Sequence, residues 1–481
     1  MSAHWTPSCE TPGGVPRSQA ERFADIDVSE ALIRRFDKAG PRYTSYPSAD
    51  RFTLQFDEAA YRELLAQRAG AVIKAPLSVY AHLPFCESLC YFCACNKIIT
   101  RGHSRAAQYL DYLLREIQMV APEVGSDRRT SQLHLGGGTP TFFSMAELGT
   151  LIDALHRQFD FAADAELGVE IDPRTVTADT LASLGAMGFN RTSFGVQDFD
   201  PAVQQAVNRI QPLEMVERAL GASRDAGFES INIDLIYGLP RQSVATFDCT
   251  LTEVVRLQPD RIALYNYAHL PARFKAQRLI DESELPLAED RLRIFMHATR
   301  KLLDVGYVYI GLDHFARPDD ELSRALRENS LHRNFQGYTT KAECDLIGFG
   351  VSAIGKIGRA YCQSTRSVKT YYERLSDGRL PVERGLTLSD DDLLRRDVVM
   401  TLMCSTPLVY RSIEAKHGVD FAQYFKSELA ALRPLAQAGL IEIDDEAIVV
   451  LPKGRLFVRA VAMTFDAYLG RPNAASYSKL I

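Results

Sequence analysis

The chain has 481 residues, which is too long for one ordinary domain and predicts two or three. Hydrophobic residues make up 46% and charged residues 24%, as in globular proteins that bury sizeable cores. The net charge of −6 excludes a general basic surface for nucleic acid, so an anionic substrate would need local arginine and lysine residues.

The beginning of the chain predicts a leader followed by an arm. Residues 1–22 are rich in proline, glycine and serine, and we interpret them as a disordered leader without a secretory signal. We assign residues 23–75 to an N-terminal arm and helix. Within them, the aromatic stretch "GPRYTSYP" (40–47) is stiffened by proline, and we hypothesise that it folds over the active site as a lid.

The compartment is predicted from the cysteines and from the lack of long apolar runs. Five of the nine cysteines are scattered singly, which is typical of a reducing compartment rather than of a disulfide framework. No uninterrupted apolar stretch is long enough for a membrane span. We therefore expect a cytoplasmic protein with no membrane partner.

From about Leu77 to Ile310, short apolar runs alternate with segments of helical period. The alternation predicts βαβ units and a parallel sheet, and at least six units without a doubly wound fingerprint favour an α/β partial barrel. Its active site would lie at the C-terminal ends of the strands. We assign residues 76–380 to this catalytic barrel and its extension. The strand candidates are residues 77–83, 131–138, 166–171, 191–197, 230–239 and 261–267.

Residues 381–481 predict a smaller, mostly helical C-terminal domain. Helical patterns at 390–404, 410–417 and 421–438 precede a hairpin pattern at 440–452 and a final helical run. Helices followed by a hairpin resemble a winged-helix unit, whose function would be DNA binding. However, the acidic "EIDDE" occupies the wing that should be basic, so we prefer a helical cap and expect no nucleic-acid partner.

Four cysteines lie within ten residues, in "CESLCYFCAC" (86–95). Thiolates bind iron–sulfur clusters or zinc. A structural zinc site usually takes its ligands from two separated knuckles, whereas three cysteines on one loop can hold three irons of a [4Fe–4S] cluster and leave the fourth iron open. The spacing therefore favours a catalytic cluster over zinc, at the C-terminal end of the first barrel strand.

Three further motifs are candidates for ligand contacts. The glycines of "LGGGTP" (135–140) permit close approach to a ligand and offer free N–H and C=O groups, although a tight turn is the alternative. Glu170 ends a strand, where it could accept hydrogen bonds from a ligand or be a solvated acid. Asp234 lies among apolar strand residues and is costly to bury without a partner.

Two other stretches are interpreted without a ligand. "GVSAIGKI" (350–357) lacks the hydroxyl residue of a phosphate-binding loop, because Ile357 takes its place. "RPDDEL" (317–322) is interpreted as a solvated turn.

The pattern Cys86-x3-Cys90-x-Phe92-Cys93 resembles the cluster motif of the radical S-adenosylmethionine (SAM) superfamily. More narrowly, the chain is similar to the oxygen-independent coproporphyrinogen III oxidases from about residue 28 nearly to its end. The similarity implies a partial (β/α)6 TIM-like barrel of the radical SAM type. Motifs that carry it include "GPRYTSYP", "VYAHLPFCESLCYFCACNK", "LHLGGGTPTF", "SFGVQDFD", "NIDLIYGLP" and "LHRNFQGYTT".

The resemblance also implies roles for particular residues. Cys86, Cys90 and Cys93 would bind the cluster, and two SAM molecules would share one active site. Tyr80 and Cys95 are candidate catalytic residues, and Cys95 is not an expected ligand because a fourth thiolate would close the open site. The implied SAM contacts are Tyr80, Phe92, Gly137, Gly138, Thr139, Glu170, Gln197, Arg209, Asp234, Ala268 and Ile354.

The implied reaction converts two propionates of coproporphyrinogen III to vinyl groups, in a monomer supplied with electrons by an unidentified reductant protein. The four substrate carboxylates predict contacts with arginine or lysine, for which Arg42, Lys97, Arg101 and Arg333 are candidates, although each could be a surface charge. One alternative is a haem-binding chaperone of the same superfamily, whose members lack the Cys-x-Cys ending. Another is a structural zinc or electron-transfer protein, which would not explain the glycine loop.

Overall fold

The computed structural model describes residues 30–36, 38–341 and 344–469. The predicted disordered leader at 1–22 lies outside these residues, as does the start of the predicted arm. Within the described ranges, no helix combines the length and the apolar character needed to cross a bilayer.

The described strands are β1 (Leu77–Leu83), β2 (Phe85–Cys86), β3 (Ile98–Ile99), β4 (Arg129–Gly137), β5 (Asp160–Ile171), β6 (Arg191–Gln197), β7 (Ser230–Tyr237), β8 (Arg261–Asn266), β9 (Val308–Gly311), β10 (His314–Ala316), β11 (His332–Asn334), β12 (Gly337–Thr339), β13 (Asp345–Phe349), β14 (Ile354–Ile357), β15 (Ala360–Ser364), β16 (Val382–Thr387), β17 (Leu408–Val409), β18 (Ile441–Ile443) and β19 (Ala447–Val450).

The described helices are α1 (Glu30–Phe36), α2 (Glu58–Gly70), α3 (Ser104–Val120), α4 (Met145–Gln158), α5 (Ala178–Ala186), α6 (Pro201–Ala206), α7 (Leu213–Asp225), α8 (Val244–Leu257), α9 (Ala288–Asp304), α10 (Glu321–Arg327), α11 (Val368–Ser376), α12 (Asp390–Met403), α13 (Tyr410–His417), α14 (Phe421–Tyr424), α15 (Lys426–Gln437) and α16 (Val458–Met463).

A twelve-stranded sheet forms the centre of the fold, in the order β16-β15-β14-β13-β1-β4-β5-β6-β7-β8-β10-β9. Strands β1 and β4 to β8 pair in parallel, and all six predicted strands are present. The predicted α/β partial barrel is therefore confirmed. The prediction included an extension but none of its strands, among which β13 pairs in parallel with β1 and short antiparallel strands continue the sheet at both ends.

The N-terminal ends of the barrel strands are closed by the β11–β12 hairpin and by α10. Gln132 Nε2 donates to Thr339 Oγ1 at 3.0 Å. Arg261 pairs with Asp320 at 2.9 Å and with Glu321 at 2.6 Å. The interpretation of "RPDDEL" as a solvated turn is therefore wrong for Asp320 and Glu321, whose carboxylates neutralise a half-buried arginine, although Asp319 is exposed. The opposite, C-terminal end of the strands is left for the candidate site.

The C-terminal segment contains the predicted helices α12, α13 and α15 and a hairpin of β18 and β19, to which β17 adds a third strand. Helix α12 packs against α16. The predicted boundary at residue 381 lies just before β16, which belongs to the central sheet. The domain boundaries remain predictions.

The described part of the arm is anchored by its aromatic side chains. Tyr43 and Tyr46 are 1% and 0% exposed. Tyr43 Oη donates to Asp466 at 2.9 Å, and Tyr361 Oη donates to the carbonyl oxygen of Tyr46 at 3.2 Å. Thr53 forms a bridge with Gly385 of β16. The arm thus joins the edge of the sheet to the C-terminal helices, while its action as a lid stays a hypothesis.

Candidate active site

The cysteine-rich loop follows β1 and is closed at its base by the pairing of β2 with β3. Three contacts hold it from outside. Tyr91 N donates to Val207 O at 3.0 Å, and Asn208 Nδ2 donates to Leu89 O at 2.7 Å. Gln277 Nε2 donates to Phe92 O at 3.1 Å. The loop is therefore fixed over the C-terminal ends of the barrel strands, where the sequence predicted it.

The sulfur atoms of this loop have different surroundings. Cys86 Sγ accepts a hydrogen bond from Thr139 Oγ1 at 3.4 Å, and burial raises the pKa of Cys86 to about 11. Cys90 Sγ is contacted by Arg174 Nη2 at 3.6 Å and by Arg209 Nη1 at 3.5 Å. These guanidinium groups would offset the negative charge that thiolate ligands bring to a buried cluster.

Cys93 and Cys95 contact each other. The hydrogen bond from the Cys95 thiol lowers the pKa of Cys93 to about 6, and the same contact raises the pKa of Cys95. In the described part of the chain, no three His, Cys, Asp or Glu side chains converge as ligands of one ion would. Three thiols on one fixed loop are a donor set that fits a cluster, in which each cysteine binds a different iron.

The glycine loop after β4 has no room for side chains. A Cβ atom on Gly136 would lie 2.8 Å from Glu170 Oε1, and one on Gly137, whose φ is +115°, would lie 2.6 Å from the His82 ring. The N–H groups of Gly137, Gly138 and Thr139 donate to Glu170, Leu83 and Phe85, respectively. The expectation of free N–H groups here is therefore wrong, because the protein itself uses them.

Glu170 and Asp234 line one cavity of about 200 Å³ in the barrel lumen, together with Tyr265. Burial alone would raise the pKa of Glu170, but the hydrogen bond with His134 at 3.2 Å and the Gly137 N–H bring it below the usual value.

Asp234 has the partners that its buried position demands. It accepts from Ser193 Oγ at 2.9 Å and from Asn232 Nδ2 at 2.8 Å. Burial still raises the pKa of Asp234 to about 6.

Gln197 and Arg209 both lie beside Gly195 but differ in their hydrogen bonding. Arg209 Nη1 donates to Asp172 at 3.0 Å and Arg174 pairs with the same carboxylate at 2.7 Å. Gln197 has a φ of +69°, and its buried Oε1 has no hydrogen-bond partner among the described residues. A strained residue with an unsatisfied acceptor is typical of a ligand-binding position.

The other predicted contacts are only partly brought together. Tyr80 Oη is 3.0 Å from His82 Nδ1 and its ring stacks on His134 at 6.0 Å. Gln277 Nε2 also donates to Ala268 O at 3.1 Å, which links Ala268 to the cluster loop. Ile354 instead packs against the hydrophobic cluster of Phe52, Tyr361 and Leu388. It lies in β14, which is separated from β8 by several strands of the sheet.

The candidate substrate cations fall into two groups. Lys97 Nζ donates to Cys93 O at 3.0 Å, and Arg101 is exposed. Arg333 is buried and Arg42, which belongs to the arm, is half-buried beside Tyr265 of β8. The segment "GVSAIGKI" connects β13 to β14 and includes β14. A strand rather than a helix follows it, so its geometry is not that of a phosphate-binding loop.

Sequence reasoning missed several residues of this site. Asp172 and Arg174 directly follow β5 in "IDPRT", a polar turn that the sequence does not distinguish from a solvated one. His82, His134 and Gln277 were also missed. The alternation of β1 and β4 could have indicated that both histidines face the lumen with Tyr80.

Comparison with known proteins identifies relatives over most of the chain. A model of the radical SAM superfamily matches residues 80–253, and one of the HemN C-terminal domain matches residues 388–457. The oxygen-independent coproporphyrinogen III oxidase of Salmonella typhimurium is 49% identical over 444 residues, covering 92% of this chain and 96% of the relative. The enzyme of Pseudomonas aeruginosa with the same name is 45% identical over 454 residues, covering 94% and 98%. The structure of coproporphyrinogen III oxidase (HemN) from Escherichia coli, a radical SAM enzyme, matches with a TM-score of 0.88 and 47% identity, covering 92% and 100%.

Proposed function

This chain belongs to the oxygen-independent coproporphyrinogen III oxidases, and from that membership we infer that it is a radical SAM enzyme acting on coproporphyrinogen III. It converts two propionate side chains to vinyl groups by oxidative decarboxylation, which gives protoporphyrinogen IX for haem and porphyrin biosynthesis. The observation that carries this function is the 49% identity to a named oxidase over nine tenths of the chain.

The superfamily implies a [4Fe–4S] cluster and SAM, and the donor set of the loop fits them. When bound, the cluster supplies the electron that cleaves SAM to methionine and a 5′-deoxyadenosyl radical. We propose Cys86, Cys90 and Cys93 as its ligands, because they lie on one fixed loop beside the cationic groups of Arg174 and Arg209.

We further propose that two SAM molecules bind at this end of the barrel. Glu170 and Asp234 are carboxyl groups that can accept hydrogen bonds from ammonium or ribose groups, and Gln197 Oε1 is available as an acceptor. The other proposed contacts are Tyr80, Phe92, Gly137, Gly138, Thr139, Arg209, Ala268 and Ile354.

Cys95 and Tyr80 are proposed to take part in catalysis without binding the cluster. The Cys95 thiol contacts Cys93, so its position is set by a proposed ligand. The Tyr80 hydroxyl lies within hydrogen-bond distance of His82, whose Nε2 is 2.8 Å from Asn96 O, so this polar chain links the lumen to the end of the cluster loop. No observation favours the alternative of a haem-binding chaperone, whose members lack a cysteine equivalent to Cys95.

We also propose that the enzyme is a cytoplasmic monomer that receives electrons from a separate reductant protein and binds no nucleic acid. The scattered cysteines support a reducing compartment. The acidic residues of the β18–β19 hairpin, which include Glu442, Asp444 and Asp445, oppose binding to DNA.

An anaerobic assay tests the function. The cluster is reconstituted in the full chain, which is then given reductant, SAM and coproporphyrinogen III. Formation of 5′-deoxyadenosine together with vinyl products is the expected result. 5′-Deoxyadenosine without decarboxylation would retain the radical SAM chemistry and reject the substrate.

A further inference from the structure

Four arginines gather where the arm, the barrel and the C-terminal helices meet, and two of them have a structural role. Arg455 Nη2 donates to the carbonyl oxygens of Tyr309 and Ile310 at 2.6 and 3.1 Å. Arg459 Nε donates to Pro41 O at 3.1 Å. Their guanidinium groups satisfy main-chain carbonyls and join segments that are distant in the chain.

The other two arginines, Arg42 and Arg333, make fewer hydrogen bonds to main-chain carbonyls, although the buried Nε of Arg455 also has no hydrogen-bond partner among the described residues. Arg42 stacks over the Tyr265 ring at 5.5 Å and forms an ion pair with Asp313. Arg333 stacks over Tyr338 at 4.7 Å, and its Nε donates to the carbonyl oxygen of Tyr43 at 3.3 Å. The buried Arg333 Nη1 has no hydrogen-bond partner in the part of the chain that the structure describes.

The positive charge of this pair exceeds the negative charge in contact with it. Among the described residues, Asp313 is the carboxylate paired with Arg42, and the contacts of Arg333 are a carbonyl and an aromatic ring. His314 adds no charge, because burial and the neighbouring arginines lower its pKa to about 3. An uncompensated buried guanidinium is costly, and a bound anion would remove that cost.

Neither arginine lines the lumen cavity, but each stacks on a tyrosine that does; Arg333 itself lines a second cavity of about 370 Å³, together with Thr44 and Ser45 of the arm. Tyr265, on which Arg42 stacks, lines the lumen cavity together with Glu170 and Asp234. Tyr338, on which Arg333 stacks, lines the same cavity. The Arg42 side chain is 34% exposed, so it is accessible to an anion.

We propose that Arg42, with Arg333 beside it, binds a propionate carboxylate of the substrate, an inference that rests on the proposed function. Arg42 has donors beyond those facing Asp313, and Arg333 supplies a second charge and an unsatisfied N–H group. The carboxylate is one of the two that survive the reaction, because strong binding of a carboxylate that leaves as neutral CO2 would stabilise the ground state against the transition state.

Binding of a surviving propionate by Arg42 and Arg333 predicts effects that non-specific attraction of an anionic substrate does not. A surviving propionate is present in both substrate and product, so both should lose affinity when the receptor is removed. The substrate KM should rise while turnover at saturation changes little, because the lost contact is equal in the ground and transition states. SAM affinity should not change.

The test measures equilibrium binding of coproporphyrin III and protoporphyrin IX, the fluorescent oxidised forms, to the full-length protein. In Arg42→Met and in Arg333→Met, the Kd for both porphyrins is expected to rise roughly 10- to 100-fold, with a weaker dependence on ionic strength. Arg333→Lys keeps the charge and loses the planar fork, so it should give an intermediate Kd and guards against a folding defect in the methionine variant.

Arg455→Met is the matched control, because Arg455 is also buried and stacks on a ring, that of Tyr309 at 5.3 Å. It should lower the melting temperature and leave both Kd values unchanged. Unchanged binding in the Arg42 and Arg333 variants, or equal weakening in Arg455→Met, would overturn the proposal. Weakening for coproporphyrin III alone would overturn the assignment to a surviving propionate. If the wild-type protein forms no vinyl product, the proposed function is wrong. That result is independent of the Kd values of the variants.

Discussion

Replacing Gln277 by leucine should loosen the cluster loop, although Gln277 is far from the cysteines in sequence. The residue is 1% exposed. Its Nε2 donates to Phe92 O and to Ala268 O, both at 3.1 Å, and its Oε1 accepts from Leu270 N at 2.6 Å. One amide thus ties the residue before Cys93 to the segment that follows β8.

The expected cost follows from the groups left without partners. Gln277→Leu keeps most of the volume but leaves two carbonyl oxygens and one N–H group unsatisfied at a buried position. Each such group costs about 1–3 kcal/mol. Because the two carbonyls share one nitrogen and water can reach part of the loop, we expect a total loss of about 3–5 kcal/mol in the free energy of unfolding.

The assay combines urea unfolding with iron content after reconstitution and SAM affinity. Gln363→Leu is the control, since buried Gln363 makes two hydrogen bonds, with Ser352 O at 3.0 Å and with Arg384 Nε at 2.8 Å, in the distant strand β15. Both variants should be less stable than wild type, but Gln277→Leu alone should lose iron. SAM affinity is compared with wild type only, because Gln363 pairs with Ile354, a proposed SAM contact. Equal iron content in the two variants would refute a positioning role for Gln277.

Three further substitutions test other parts of the molecule. Cys95→Ser should keep the iron and sulfide content of the reconstituted protein while impairing turnover, whereas serine at any proposed ligand should lose the cluster; cluster loss in Cys95→Ser would contradict this division. Gly137→Ala should lower the free energy of unfolding by about 2–5 kcal/mol, because its φ is +115° and its Cβ would lie 2.6 Å from the His82 ring; Gly221→Ala, with open space in α7, should not be destabilised. Burial raises the pKa of Glu116 to about 7 from 4.5, so its contribution to stability is present below pH 4.5 and is lost as the pH rises through 7. Glu116→Gln should therefore exceed wild type in stability by up to about 3 kcal/mol above pH 7 and match it near pH 4, and a pH-independent difference would show that ionisation of the buried carboxyl group is not the cause.

The sequence was informative where a pattern is local. Strands β1 and β6 have the predicted bounds because β1 is a mostly apolar run and β6 alternates between buried and half-buried side chains. The short strand β14 was missed, since "IGKI" has only four residues, and its glycine and lysine are disfavoured in strands. The carboxylates of Asp320 and Glu321 were misjudged as solvated, because their partner Arg261 lies about 60 residues earlier and only the fold brings it close.

In the cysteine loop, a local pattern indicates which residues are ligands, whereas contacts made by the fold determine where those ligands lie. The spacing of Cys86, Cys90 and Cys93 predicts which atoms bind iron, but nothing in that spacing fixes the direction in which they point. The direction is fixed by Val207, Asn208 and Gln277, through contacts with the main chain between and beside the cysteines. These contacts come from the segments after β6 and β8, so the folded barrel restricts the conformations of the loop. Each such contact reduces the conformational entropy that the loop loses when it binds a cluster, and that is why a main-chain partner such as Gln277 should influence iron content without touching a sulfur atom.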